Sequence, residues 1–187
     1  MKKHHFTLLE SLGVVALIVI LMLISVGAYT YAMDSSREKA TKATIARLDS
    51  ALLSIQEKGF MKKTTGATGA QDGYVKLFID TGNKIVKVGT QEIKGEPYKI
   101  FIKAIDADSM NSITAVTSGT EREFIDAWGQ ALYVRYPGKF NRGGIDIISA
   151  GSDSKFGADN ADYPTVDITK YKDDENDLIC DDISNFF

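Results

Sequence analysis

A run of residues without a single charge, Ser11 to Met33, limits what this chain can fold into more than any other feature. As helix, about 23 residues span roughly 35 Å, enough to cross a bilayer with some tilt. Lys2 and Lys3 precede the run. Positive charge stays on the cytoplasmic side of a membrane, so these lysines orient the rest of the chain outward. A cleaved secretory signal has a shorter apolar core that ends in a small-residue site. The run therefore reads as a single-pass anchor. A carboxylate, Glu10, stands at its head. An ionisable side chain inside a membrane segment costs on the order of 2.5–3.5 kcal/mol, and less near the interface. Two readings of Glu10 follow: a residue in the headgroup zone that caps the helix start, or one that finds a positive partner.

Helical spacing continues past the apolar run. Ile45, Leu48, Leu52 and Ile55 step by three or four residues and share one face, while Arg37, Lys39, Lys42, Arg47 and Asp49 fall mostly on others. No proline interrupts residues 6–58, and Gly59 supplies a stop. One helix is predicted from about Thr7 to Lys58, apolar all round at first and amphipathic later. Gly27, inside the apolar part, suits either a close helix–helix contact or a weak hinge.

After a Gly/Thr-rich loop ending at Gly73, the pattern becomes strand-like. Tyr74–Ile79 and Lys84–Val88 form a predicted hairpin across Asp80–Asn83. Further strands are expected at Tyr98–Ala104, Ile113–Thr117, Ala131–Tyr136 and Ile145–Ile148. A helix followed by antiparallel strands is an α+β arrangement, one long helix laid on a small sheet. Three regions are expected: a leader at 1–5, a membrane or filament-core helix at 6–33, and an extracytoplasmic head at 34–187 that includes the amphipathic part of the helix.

Charge divides this head. Asp34 to Ser152 carries 17 Lys/Arg against 14 Asp/Glu, whereas Asp153 to Phe187 carries 10 acids against 3 lysines. An acidic stretch of this kind reads as a solvated polymer, but Phe156, Tyr163, Tyr171, Phe186 and Phe187 leave an ordered cation site open. No basic run interleaved with aromatics suggests nucleic-acid binding. Cys180 is the only cysteine, so no intrachain disulfide exists. It reads as a small buried hydrophobe or as one half of an intermolecular bridge. Enzyme signatures are missing, with neither a phosphate-binding loop nor a Gly-x-Ser-x-Gly elbow. Both histidines, His4 and His5, lie at the amino terminus. A non-enzymatic role is expected.

Two groups of residues carry a family resemblance. The amino terminus reads His5-Phe6-Thr7-Leu8-Leu9-Glu10 before the apolar run. The carboxyl-terminal part holds Asp126-Ala127-Trp128-Gly129, then Ile145-Asp146-Ile147-Ile148 entering Ser149-Ala150-Gly151-Ser152-Asp153-Ser154, and finally Asp181-Asp182-Ile183-Ser184-Asn185-Phe186. Read on their own, Trp128 is a core residue and Asp126 a turn former. Together they resemble the type IV pilin-like family with a class III prepilin leader, most closely the major pseudopilin of type II secretion systems. The resemblance covers both ends of the chain, and residues 60–120 hold none of its motifs. His5 stands where the family has Gly, Ala127 where it has Pro, Ser152 for Ala, Ser154 for Gly and Phe186 for Trp.

The resemblance implies a pilin-like fold in a single-pass protein of the bacterial inner membrane, its head in the periplasm or outside the cell. It implies a cut by a prepilin peptidase between His5 and Phe6, and methylation of the new amine. Glu10 would then face the Phe6 amine of a neighbouring copy in a helical homopolymer. Other pseudopilins and an inner-membrane assembly platform are the further partners implied. The family's closing loop binds calcium. Asp153, the carbonyl of Ala150, Asp182 and the carbonyl of Ile183 match its ligands, and Asp159 or Asp162, in the long insertion after Gly157, could replace Asp182. The alternatives are a type IV pilus subunit serving adhesion, motility or DNA uptake, and a membrane-anchored binding module. Pilus subunits frequently close this region with a cysteine pair, which one cysteine cannot form.

Overall fold

The computed structural model describes residues 8–64, 73–106, 109–172, 178 and 180–186, with side chains described from Ser11 onward. The chain divides into two compact units, residues 1–36 and 37–187. A single α-helix, α1 (Leu8–Gln56), contributes to both. Within the first unit no residue from Ser11 to Asp34 is buried, and the exposed side chains include Leu12, Leu17, Ile20, Leu23 and Met33. Ser25 and Thr30 turn their hydroxyls back onto the helix, donating to the carbonyls of Leu21 and Gly27, so neither presents an unmatched donor to an apolar surrounding. Among the described residues α1 is the one helix long and apolar enough to span a membrane.

In the second unit the expected stripe is the core-facing side of α1. Ile45, Leu48, Leu52 and Ile55 are all buried, joined by Ala51. Each such aliphatic side chain contributes about 2 kcal/mol relative to exposure. Thr41 and Thr44 extend the buried side.

The sheet is antiparallel and eight-stranded. Strands β1 (Val75–Asp80), β2 (Ile85–Val88) and β3 (Gln91–Lys94) form a meander. Two helices follow, α2 (Glu96–Ile105) and α3 (Met110–Ile113). A hairpin of β4 (Thr114–Ser118) and β5 (Glu121–Phe124) returns to the end of β1, where Phe78 pairs with Glu123. β6 (Tyr133–Arg135), β7 (Asp146–Ser149) and β8 (Ile183–Ser184) complete the order β3-β2-β1-β6-β7-β8. β1 is the hub, because its first residues pair with β6 and its last with β5.

The strand expected at Tyr98–Ala104 is a helix instead. Its aromatic and β-branched content suggested a strand, but the buried positions are Pro97, Phe101 and Ile105, a spacing of four. Pro97 lies in the first turn of α2, where its missing N–H costs nothing. β3 and β5 went unrecognised for the opposite reason. Each is mostly charged or polar and buries a single apolar residue, Ile93 or Phe124.

Residues 150–172 are not a solvated polymer. With one 3-10 turn at Ile168–Lys170 they fold into a second small core, in which Tyr171, Phe156 and Ala150 pack with Tyr74, Tyr133 and Ile148. Tyr133 and Phe156 meet edge to face at 5.4 Å. The fully buried Tyr171 accepts at its hydroxyl from the Thr165 N–H at 2.7 Å.

Candidate functional site: the carboxyl-terminal loop and its closing strand

Three of the motifs singled out from sequence converge beside α1. Asp126 Oδ1 accepts from the N–H groups of Trp128 and Gln130, at 2.9 and 2.8 Å, the turn-forming role expected of it. Its Oδ2 accepts from the Ser149 hydroxyl at 2.6 Å, which ties the turn to the end of β7. Burial pushes the Asp126 carboxyl above its ordinary range, against these donors. The Ala127 N–H donates to Thr41 Oγ1 on α1. Trp128 is partly buried against the main core.

The closing strand is fastened by Asn185. Its side-chain carbonyl accepts from the Ile147 N–H at 2.8 Å, and its amide donates to the Ile145 carbonyl at 2.7 Å and to Asp49 of α1 at 2.9 Å. One side chain thus joins β7, the chain terminus and the helix.

Between these two anchors runs the loop 150–157. Gly151 has φ +68°, and a Cβ there would lie 2.2 Å from the Asp181 carbonyl oxygen. Only glycine permits this approach of loop and terminal segment. Asp181 then clamps the loop: its Oδ2 accepts from the Ser152 N–H and hydroxyl, both at 2.6 Å, and from the Asp153 N–H at 3.0 Å. Partial burial works to raise this carboxyl, but the donors outweigh it and hold it below the usual range. Asp181 was not among the residues expected at the site. The Asp181-Asp182 pair was the available signal, and only the fold separates their roles.

Asp182 is the other half of that pair. It is buried, its Oδ2 accepts from the Gly157 N–H at 2.6 Å, and its Oδ1 has no hydrogen-bond partner among the described residues, with the Cys180 thiol acting on the same carboxyl. Burial pushes this carboxyl up to about 6, against its hydrogen bonds and with Asp181 and Asp153 adding negative charge nearby. An orphaned buried carboxylate oxygen is expensive unless a proton or a cation meets it.

The other expected ligands are placed as follows. Asp153 is exposed on the turn, where its Oδ1 accepts from the Lys155 N–H. Ala150 is buried in the second core, and Ile183 pairs with Ser149 as part of β8. Asp159 forms an ion pair with Lys170 at 2.5 Å, and Asp162 pairs with Lys155. Each of these two carboxylates is thereby engaged by a lysine. Among the described residues no three His, Cys, Asp or Glu side chains form a ready-made metal cluster. Cys180 is free and half-buried at the edge of the second core, its thiol pushed up to about 12 by burial, so it is not a thiolate at neutral pH. His5 and Phe6 lie outside the described residues, and of Glu10 only its backbone, within α1, is described. No family model, curated protein or solved structure matches the chain.

Proposed function

We propose that this protein is a structural filament subunit of the pilin-like kind, most closely a pseudopilin of a type II secretion system. It is inserted in the bacterial inner membrane with its head outward, cut before Phe6 by a prepilin peptidase, and stacked with other copies. The filament then works with an inner-membrane assembly platform to drive protein export. The observation that carries this reading is α1. Its charge-free part exposes apolar side chains from Leu12 to Met33, more than a soluble surface tolerates, while its later part supplies the core stripe of a globular unit. One helix with both properties suits an anchor first held in lipid and then bundled with copies of itself. A carboxylate and an ammonium in such a bundle offset each other's desolvation only when paired, which gives Glu10 and the Phe6 amine their role.

The test is made on full-length protein in its native membrane. Mass spectrometry of the mature amino terminus should find a methylated Phe6. Glu10→Ala should insert normally yet fail to assemble. Normal filaments from that variant would sink the pairing idea.

Calcium belongs to the same reading. It takes six to eight oxygens from carboxylates, carbonyls and water, and Asp182 Oδ1, without a hydrogen-bond partner among the described residues and near enough to feel the charge of Asp153, is the atom that fits it. Asp182 and Asp153 would hold the ion, which would neutralise the acidic loop and lock it to the closing strand. Melting of the full-length protein in detergent should rise with calcium, and the rise should vanish in Asp153→Ala. Identical melting of the wild type in calcium and in chelator would remove the ion from the reading.

A further inference from the structure

Three strands lie at edges of the sheet: β3 and β8 at the ends of the order, and β4, which pairs with β5 alone. An exposed strand edge is a template for another strand, and proteins blunt it with short strands, charge or proline. β8 is two residues long, and β3 carries Glu92 and Lys94, joined in an ion pair at 2.7 Å. β4 reads Thr114-Ala-Val-Thr-Ser118, and no charge or proline occurs from Ser109 to Thr120. Its one irregularity is a register shift between Val116 and Ser118, where the Thr117 hydroxyl donates to the Glu121 carbonyl at 3.1 Å.

Two independent properties meet at Val116. The Ile125 N–H donates to the Ile113 carbonyl at 3.0 Å, and bonded pairs alternate along an antiparallel ladder. Val116 stands opposite Arg122, three steps further, so its N–H and C=O point away from β5. Among the described residues neither group has a partner. Its side chain is 62% exposed, more than any other large apolar side chain described in residues 37–187. Val116, Arg122 and Ile79 form one row across β4, β5 and β1. Ile79 is buried in the core, so Val116 continues the core-facing side of the sheet past its cover.

We infer that β4 is a self-association edge, through which two copies of this chain pair antiparallel about a two-fold axis at Val116 and join their sheets. The axis sets Val116 against its own copy, Thr114 against Ser118 and Ala115 against Thr117. Every facing pair is then uncharged, without the like-charge repulsion that opposes self-pairing of charged strands. That self-match selects a second copy as the occupant. An edge of five residues is a small contact by itself. Copies whose α1 lies in one membrane meet at a raised effective concentration, and in this respect the contact rests on the anchored reading of α1. It is isologous and closes at two, so it is separate from any contact that propagates a filament.

The test uses the full-length chain in a Cys180→Ser background, reconstituted in phosphatidylcholine vesicles and oxidised. Facing copies of Val116 would have Cα atoms about 5.5 Å apart in a bonded pair, within the reach of a disulfide. Copies of Ser118, also exposed, would stand more than about 10 Å apart. Val116→Cys should therefore give at least fivefold more linked dimer than Ser118→Cys. Sedimentation equilibrium of the full-length Cys180→Ser chain in detergent supplies a second readout. Val116→Pro removes an N–H that β5 does not use, and Val116→Lys places a charge on the axis. Each should weaken self-association at least tenfold with melting unchanged. If Val116→Pro melts lower, Val116→Lys, which keeps the N–H, carries the comparison. Equal linking at both positions, or self-association that survives Val116→Lys, overturns the β4 contact. A chain that stays monomeric overturns the second copy as occupant, and if it also resists carbonate extraction from the vesicles the anchor stands. Protein that washes out in carbonate removes the anchor, and sedimentation then decides the contact by itself.

Discussion

At the scale of single residues, the globular unit is organised by carboxylates with separate tasks. Asp126 folds a turn onto β7, Asp181 clamps a loop, and Asp182 keeps one oxygen unmatched. Asp80 shows the opposite electrostatic outcome to Asp182. Backbone and side-chain donation by Asn83, together with the Thr120 hydroxyl, hold its carboxyl down at about 2. Those donors join the β1–β2 turn to the β4–β5 turn. A carboxyl held below its unfolded value stabilises the fold above that unfolded value, and the contribution disappears as pH falls through the folded one. Between about pH 4 and pH 2 the wild type should therefore lose stability faster than Asp80→Ala, while the variant should be the weaker of the two at pH 7. Thermal melts of the full-length protein across pH 2–7 check both halves. Parallel pH profiles would mean that Asp80 is not charged in the way its donors require.

At the scale of elements, legibility followed the strength of the periodic signal. α1 was readable almost to the residue, because a charge-free run and a stripe at Ile45, Leu48, Leu52 and Ile55 leave little choice. The hairpin of β1 and β2 and the strands β6 and β7 were readable from short apolar runs ending in turn residues. α2 was misread because Tyr, Ile and Phe favour strands in isolation, and only a spacing of four with Pro97 in the first turn tells otherwise. β3 and β5 carry too few apolar residues to register, and their strand state comes from pairing with β2, β1 and β4. The second core was hidden for a different reason. Its members, from Tyr74 to Tyr171, are far apart in the chain, and aromatic residues in an acidic stretch do not announce partners. At the candidate site, the Asp and Ser residues were visible as a group. Which of Asp181 and Asp182 accepts from the Ser152 and Asp153 N–H groups and which keeps one oxygen unmatched among the described residues depends on the approach of the terminus to Gly151, a tertiary fact.

At the scale of the whole molecule, two units with different surfaces share one helix. The unit of residues 37–187 has its own apolar core, drawn from α1, the sheet and α2, whereas the run from Ser11 to Met33 contributes nothing to that core. Membrane retention and folding of the globular unit should then be separable by mutation. Leu17 is 61% exposed in the middle of the charge-free run. An arginine there costs about 3 kcal/mol on insertion scales, roughly a hundredfold in partition. Leu17→Arg should release most of the protein from membranes under alkaline carbonate extraction. Its melting, followed by the fluorescence of Trp128, should stay within about 2 °C of the wild type, since distant sites without shared partners act independently. Retention of the variant to the wild-type extent would mean that the run is not what holds the protein to the membrane. Loss of the melting transition together with retention would mean that the core at Leu48 and Leu52 depends on the anchor, and that the helix is one cooperative element rather than a shared support.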